Sequence, residues 1–159
     1  MSAKAAAPLL GRVVADFTLP STGKEEFRLH ALRGQNLVLY FYPRDDTPGC
    51  TLEGQDFQRL LAAFKRAGTR VFGVSRDPLA AHQKFCSKFG LEFALLADES
   101  GAVCTQFDVI RMKNMYGRKI MGIERSTFLI DAQGRLRQEW RKLKVTGHAA
   151  EVLEAAKAL

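Results

Sequence analysis

The 159-residue chain has only three cysteines, at positions 50, 86 and 104, with no Cys-x-x-Cys pair among them. An odd, widely spaced set excludes the disulfide framework of a small secreted domain. The missing Cys-x-x-Cys excludes a thioredoxin-type reductase. The three histidines, His30, His82 and His148, lie far from one another and lack short-range spacing to a cysteine pair, so no metal site is expected. No apolar run approaches the roughly 20 residues that span a bilayer. Met1 to Leu10 carries one lysine and a short alanine-rich stretch, too short and too weakly apolar for a secretory leader, so a cytoplasmic location is expected. Repeats, linkers and low-complexity segments are absent as well.

What is present fits a globular chain. Hydrophobic residues make up 47%, charged residues 26%, and the mean hydropathy is −0.13. At this length about 68–70% of the unfolded surface can be buried without a staple, so one domain over residues 1–159 is expected. The net charge is +7. Residues 111 to 144 hold ten Lys or Arg against Glu124, Asp131 and Glu139, so the whole excess lies there. With no aromatic stacking platform or nucleic-acid motif beside it, the stretch reads as a solvated basic surface without specific nucleic-acid binding.

Strand and helix patterns alternate along the chain. Val13 to Leu19 and Glu25 to Leu29 predict two short strands around Ser21-Thr22-Gly23, an N-terminal hairpin. Leu37 to Tyr42 is almost continuously apolar, the mark of a strand buried on both faces at the sheet centre. Phe57, Leu60, Leu61 and Phe64 at i, i+3, i+4 and i+7 predict one helix ending before Gly68. Further strands are expected over Arg70 to Ser75, Phe93 to Ala97 and Ser126 to Ile130. Helices follow Pro78 and Ser100, the first ended by Gly90. Asp131 to Gly134 turns into a strand over Arg135 to Trp140, and Ala149 to Leu159 closes the chain as a helix. The pattern predicts an α/β fold, a mixed sheet with an antiparallel edge and helices on both faces.

One segment carries candidate chemistry. Pro43 to Thr51 joins the central strand to the first long helix, beyond the carboxyl end of the strand where active residues gather. Thr47 suits the N-cap and Pro48 the first helical position, which puts Cys50 in the first turn near unpaired N–H groups. Those donors and the positive end of the helix dipole favour thiolate over thiol. Spacing alone also allows an inert, buried Cys50. Glu53 reads as a helix-start acid complementing the dipole, with a proton donor as the alternative, Asp45 and Asp46 as solvated loop residues, and Arg125 as an arginine at the entry of a strand.

The run Tyr40-Phe41-Tyr42-Pro43-Arg44-Asp45-Asp46-Thr47-Pro48-Gly49-Cys50-Thr51 resembles the active-site segment of peroxiredoxins, with the Pro-x-x-x-Thr-x-x-Cys pattern met at Pro43, Thr47 and Cys50. Within that family the chain is similar to the peroxiredoxin Q, or bacterioferritin comigratory protein, branch. Asp16 to Pro20, Leu95 to Asp98, Arg125 to Asp131 and Gly147-His148 match in order. The resemblance implies a thioredoxin fold and a thiol-dependent peroxidase needing no dissociable cofactor. It implies that Cys50 attacks the hydroperoxide, that Thr47 and the Cys50 N–H hold it, that Arg125 supports thiolate and transition state, and that Pro43 shields the sulfur. Many members of the branch place a resolving cysteine five positions after the nucleophile, where this chain has Gln55. A second group places it 36 positions on, which implies Cys86, whereas Cys104 reads as core. The implied partners are a hydroperoxide and thioredoxin or a related dithiol, with a monomer sufficient for an intramolecular disulfide. A one-Cys enzyme resolved by an external thiol, and a redox-dependent binding or chaperone protein without turnover, are the alternatives.

Overall fold

The computed structural model describes residues 7–159, so the reading of the N-terminal segment as no leader falls in part on positions 1–6, outside the described residues. The first strands are shorter than the alternation predicts: β1 (Thr18–Leu19) pairs antiparallel with β2 (Phe27–Arg28). The rest of the predicted first strand changes partner. Val13 bridges Arg135, and the Val14 N–H donates to the Gly134 carbonyl at 2.9 Å.

The main sheet then forms from β3 (Asn36–Phe41), β4 (Thr69–Ser75), β5 (Ala94–Ala97), β8 (Ser126–Ile130) and β9 (Leu136–Arg141), in the order β5-β4-β3-β8-β9. β3 runs parallel to β4 and β4 to β5, while β8 is antiparallel to both β3 and β9. The helices α1 (Pro48–Arg59), α2 (Leu61–Arg66), α3 (Leu79–Phe89), α4 (Ala102–Gln106) and α5 (His148–Lys157) connect and close the strands. The remaining strands, β6 (Ile110–Met115) and β7 (Arg118–Ile123), make a separate hairpin. This is the mixed sheet, antiparallel edge and N-terminal hairpin of the expected fold. Among the described residues no helix is long and apolar enough to cross a membrane.

The period-2 alternation of β3 divides the core. Leu37, Leu39 and Phe41 point to one face, where Phe17, Phe27, Phe107 and Phe128 pack with them. Val38, Tyr40 and Tyr42 point to the other, against Phe57 of α1, Phe64 of α2, Phe85 of α3 and Val152 of α5. Each such fully buried apolar side chain contributes about 1.5–3 kcal/mol of transfer free energy. Tyr40 stacks on Phe57 with ring centroids 4.6 Å apart. On β4, Gly73 lies beneath that ring, and a Cβ there would come within 2.8 Å of Tyr40 Cζ. Only glycine lets strand and ring approach so closely.

Two expectations are corrected. The single helix ending before Gly68 is two, because Leu60 leaves helical geometry at φ −97°, ψ 4° while its N–H still bonds Asp56 and Phe57. The basic stretch, assigned no element before Arg125, holds the β6–β7 hairpin, with Tyr116 at φ +53° and Gly117 at φ +78° forming its two-residue turn. Both strands of that hairpin are largely solvent-facing, so no apolar period marks them: Met112, Ile120 and Met121 are exposed among the cations.

Candidate active site

The loop after β3 delivers Cys50 to the position the sequence predicts. Thr47 is the N-cap residue of α1, at φ −103°, ψ 156°, and Pro48 opens the helix. The first closing bond runs from the Thr51 N–H to the Thr47 carbonyl at 2.8 Å. The Gly49 and Cys50 N–H groups therefore belong to the first turn, which has no intrahelical carbonyl to offer them. Cys50 is buried, at 2% exposure. The Thr47 hydroxyl makes no capping bond and instead donates to the Arg44 carbonyl at 2.9 Å. With its proton used there, its lone pairs are left to accept a hydrogen from a bound molecule.

Arg125 comes to this cysteine from the far side of the sheet sequence, in the connection between β7 and β8. Its Nη2 donates to Cys50 Sγ at 3.4 Å and its Nη1 to Glu53 Oε1 at 2.6 Å. A Cβ at Gly49 would lie 3.2 Å from the same Nη2, so the glycine preserves room for the guanidinium beside the helix start. Arg125 also forms one wall of a cavity of about 460 Å³ shared with Arg111, Lys113 and Lys142, so the basic stretch borders the site.

Glu53 corrects the reading of a helix-start acid. Its side chain is fully buried, and it neutralises Arg125 rather than facing solvent at the dipole. Burial raises its carboxyl to about 7, with the Arg125 guanidinium only partly opposing that rise. Its Oε2 has no hydrogen-bond partner, which is consistent with a carboxyl poorly solvated as an anion. A folded-state value above the ordinary 4.5 means the folded chain holds this proton more tightly than the unfolded one. The stabilisation is therefore full below about pH 4.5 and is lost as pH rises toward 7. Chemical denaturation of wild type and Glu53→Gln at pH 5 and pH 7 checks this. The stability of wild type relative to the variant falls between those pH values, and a rise contradicts it.

Asp45 and Asp46 have different surroundings. Asp46 is solvent-facing and pairs with Lys88 at 2.8 Å, as a loop residue does. Asp45 is not solvated, because its carboxylate is only 6% exposed and accepts from Tyr42 Oη at 2.6 Å. Its Oδ2 lies 2.7 Å from Nδ1 of the fully buried His82 on α3. Asp45, Asp77 and His82 bring one ligand-type atom each within 4.8 Å of one another, and hydrogen bonds already engage all three.

The other predicted residues make no hydrogen bond to the Cys50–Arg125 pair among the described residues. Pro43 is half-buried in the loop leaving β3. Cys86, near the end of α3, is half-buried, and its thiol faces Thr22 Oγ1 at 3.9 Å. Burial pushes that thiol upward. It opens onto a cavity of about 650 Å³ walled by Leu61, Val71, Leu91 and Phe93. Cys104 is wholly buried in the opposite face of the core, and burial with the nearby Asp98 raises its thiol far above the ordinary range. His148, the first residue of α5, is buried and bonded to Thr127 Oγ1 at 2.8 Å, with burial lowering it to about 4.

A cysteine in the first turn of a helix, held by an arginine on a thioredoxin-type sheet, fits the class of thiol-dependent peroxidases known as peroxiredoxins. Comparison with known proteins agrees. Residues 10–139 match the model of the AhpC/TSA family, and the chain belongs to that family. The Peroxiredoxin Bcp of Xanthomonas campestris is 52% identical over 143 residues, 90% of this chain and 89% of that protein. The Bacillus subtilis Peroxiredoxin Bcp is 44% identical, covering 93% and 94%. A structure described in terms of the alkyl peroxide reduction activity of the Xanthomonas bacterioferritin comigratory protein matches with a TM-score of 0.85 at 50% identity, over 89% of this chain and 90% of that one. The Xanthomonas peroxiredoxin Q has also been solved as single Cys-to-Ser mutants at two cysteines 36 residues apart. A Cys-to-Ser mutant of the Xylella fastidiosa PrxQ matches with a TM-score of 0.90 at 42% identity, covering 96% and 98%. The chain is a peroxiredoxin of the Bcp and peroxiredoxin Q branch, an enzyme that reduces hydroperoxides at the expense of a thiol.

Proposed function

We propose that Cys50 is the peroxidatic nucleophile and Cys86 the thiol that resolves it. The observation that carries the reading is the 3.4 Å approach of Arg125 Nη2 to Cys50 Sγ at the start of α1. The thiolate attacks one peroxide oxygen, the O–O bond breaks, and the second oxygen leaves as alkoxide or hydroxide and takes up a proton. Cys50 becomes a sulfenic acid. Thr47 and the Cys50 N–H hold the peroxide, Arg125 faces the charge that develops on oxygen, and Pro43 limits access of water. Hydrogen peroxide and organic hydroperoxides are both substrates, the latter being the class named for the Xanthomonas relative.

The Cys86 thiolate then attacks the Cys50 sulfur and forms an intramolecular disulfide, and the hydroxide expelled from the sulfenic acid takes up a proton to leave as water. The 36-residue separation of Cys50 and Cys86 equals that of the two cysteines mutated in the Xanthomonas structures. In this structure the two sulfurs face different partners, Arg125 and Thr22, so both ends move before they bond. A dithiol reductant of the thioredoxin type restores the two thiols. An intramolecular pair needs no second subunit, so the enzyme acts as a monomer, in the cytoplasm, on one domain.

Cys86→Ser tests the resolving step. The variant forms the sulfenic acid at the wild-type rate and loses thioredoxin-supported turnover in a coupled NADPH assay. Full turnover would remove Cys86 from the mechanism.

A further inference from the structure

A chain of hydrogen bonds joins the loop that carries the peroxide chemistry to the helix that carries Cys86. Tyr42, the last residue before the loop, donates from Oη to Asp45 Oδ1 at 2.6 Å. Asp45 Oδ2 lies 2.7 Å from His82 Nδ1, and His82 Nε2 lies 2.9 Å from the Leu96 carbonyl of β5. A carbonyl oxygen can only accept, so Nε2 carries a hydrogen, and the imidazole is fixed at both ends. The Asp45 backbone N–H donates to Asp77 Oδ2 at 3.0 Å, and the Ser75 hydroxyl donates to the same oxygen at 2.5 Å. The next residue, Asp46, is held at φ +55°, a left-handed backbone that aspartate tolerates better than most residues. His82 is fully buried and the Asp45 side chain nearly so, which makes this contact far less screened than the exposed Lys88–Asp46 pair.

We propose that Asp45 and His82 are positioning residues forming a clasp between the active-site loop and α3, and that this clasp sets the rate at which Cys50 and Cys86 meet. The proposal rests on the reading of Cys86 as the resolving thiol. Cys86 follows His82 by one helical turn, and Cys50 follows Asp45 by five residues at the other end of the same contact. A disulfide needs Cα atoms within about 7 Å and matched side-chain directions. Any opening of α3 or of the loop that brings the sulfurs together strains or breaks the Asp45–His82 contact. The closed form, with Arg125 on Cys50, is the one that reacts with peroxide. The open form is the one in which Cys50–SOH and Cys86–SH condense to a disulfide and water.

This arrangement separates the two steps. If the open form is a minor population, weakening the clasp multiplies that population while leaving the closed one almost full. Disulfide formation accelerates, and sulfenic acid formation scarcely changes. The clasp then also governs over-oxidation, because a sulfenic acid that waits longer for Cys86 meets a second peroxide more often.

The test follows both steps in reduced enzyme mixed with peroxide, by rapid quenching, thiol blocking and mass spectrometry. Glutamine at position 82 can present its amide near the place of Nε2 but not of Nδ1, whereas asparagine presents one near Nδ1. His82→Gln is expected to form the disulfide about tenfold faster or more, as loss of a buried charged hydrogen bond allows. Its sulfenic acid step stays within about twofold of wild type, and it needs more peroxide to reach the sulfinic acid. Asp45→Asn shifts in the same direction, and His82→Asn stays near wild type. An unchanged or slower disulfide step in both His82→Gln and Asp45→Asn overturns the clasp. So does equal acceleration in His82→Asn and His82→Gln, which would mark lost packing rather than a lost bond. A fast disulfide phase surviving in Cys86→Ser would instead overturn the reading of Cys86 itself.

Discussion

In Cys50→Ser, hydroperoxide consumption falls to the uncatalysed rate. A serine hydroxyl occupies the same first-turn position, but it is not ionised at neutral pH and is a far weaker nucleophile than a thiolate. Arg125 Nη2 can donate to whatever stands at position 50 but can accept nothing. The two remaining cysteines do not substitute. Burial pushes both thiols away from the thiolate form, Cys104 most of all, and thiolate rather than thiol is the attacking species. Thermal melting close to that of wild type is expected, since one oxygen replaces one sulfur. Peroxide-consumption assays at high enzyme concentration read the effect directly, and turnover at even a few per cent of wild type would move the nucleophile elsewhere.

Arg125→Ala has the next largest effect. The guanidinium has two contacts in the site, Cys50 Sγ and Glu53 Oε1. Its loss takes away both the positive charge at the sulfur and the partner of a buried carboxyl. Preorganised donors aimed at developing charge contribute about 2–4 kcal/mol each, so the peroxide step slows by roughly 30- to 1,000-fold. Thr47→Val, which removes an acceptor whose own proton is bound by the Arg44 carbonyl, slows the same step by a comparable factor, again about 2–4 kcal/mol. The two differ in stability. Removing Arg125 leaves Glu53 buried beside no cation, which drives its carboxyl further toward the neutral form, whereas Thr47→Val leaves that pair intact. Stopped-flow rates of sulfenic acid formation measure both variants, and rates unchanged in both would exclude them from the chemistry.

The parts of this molecule that were legible in the sequence are those coded over short distances. Leu37 to Tyr42 is apolar on both faces because β3 lies between β4 and β8 with helices above and below, so the run alone locates the sheet centre. Thr47-Pro48-Gly49-Cys50 is a local start signal, and α1 begins where it predicts. The misreadings concern partners remote in sequence. Glu53 and Arg125 are 72 residues apart, and Asp45 and His82 are 37 apart, so neither pairing leaves a periodic mark. An aspartate in a loop looks solvated until the helix that covers it is in place. Gly49 carried a signal of another kind: a glycine inside a first turn, where a better helix former would serve unless a side chain must pass close by. The β6–β7 hairpin was missed because its strands face water on most sides, and its turn is Tyr116-Gly117 rather than an asparagine–glycine pair. In that hairpin positive φ at a tyrosine is required by the two-residue turn that pairs Met115 with Arg118, a conformation that tyrosine's own preference does not forecast.

The central claim is that oxidation at Cys50 is passed to Cys86 within one chain. Peptide mapping by mass spectrometry, after one equivalent of peroxide and under non-reducing conditions, tests it most directly. The account predicts a single Cys50–Cys86 disulfide on monomeric protein, with Cys104 still a free thiol. A Cys50–Cys104 disulfide, an intermolecular Cys50–Cys50 bond, or a sulfenic acid that persists on Cys50 while Cys86 stays reduced would contradict it.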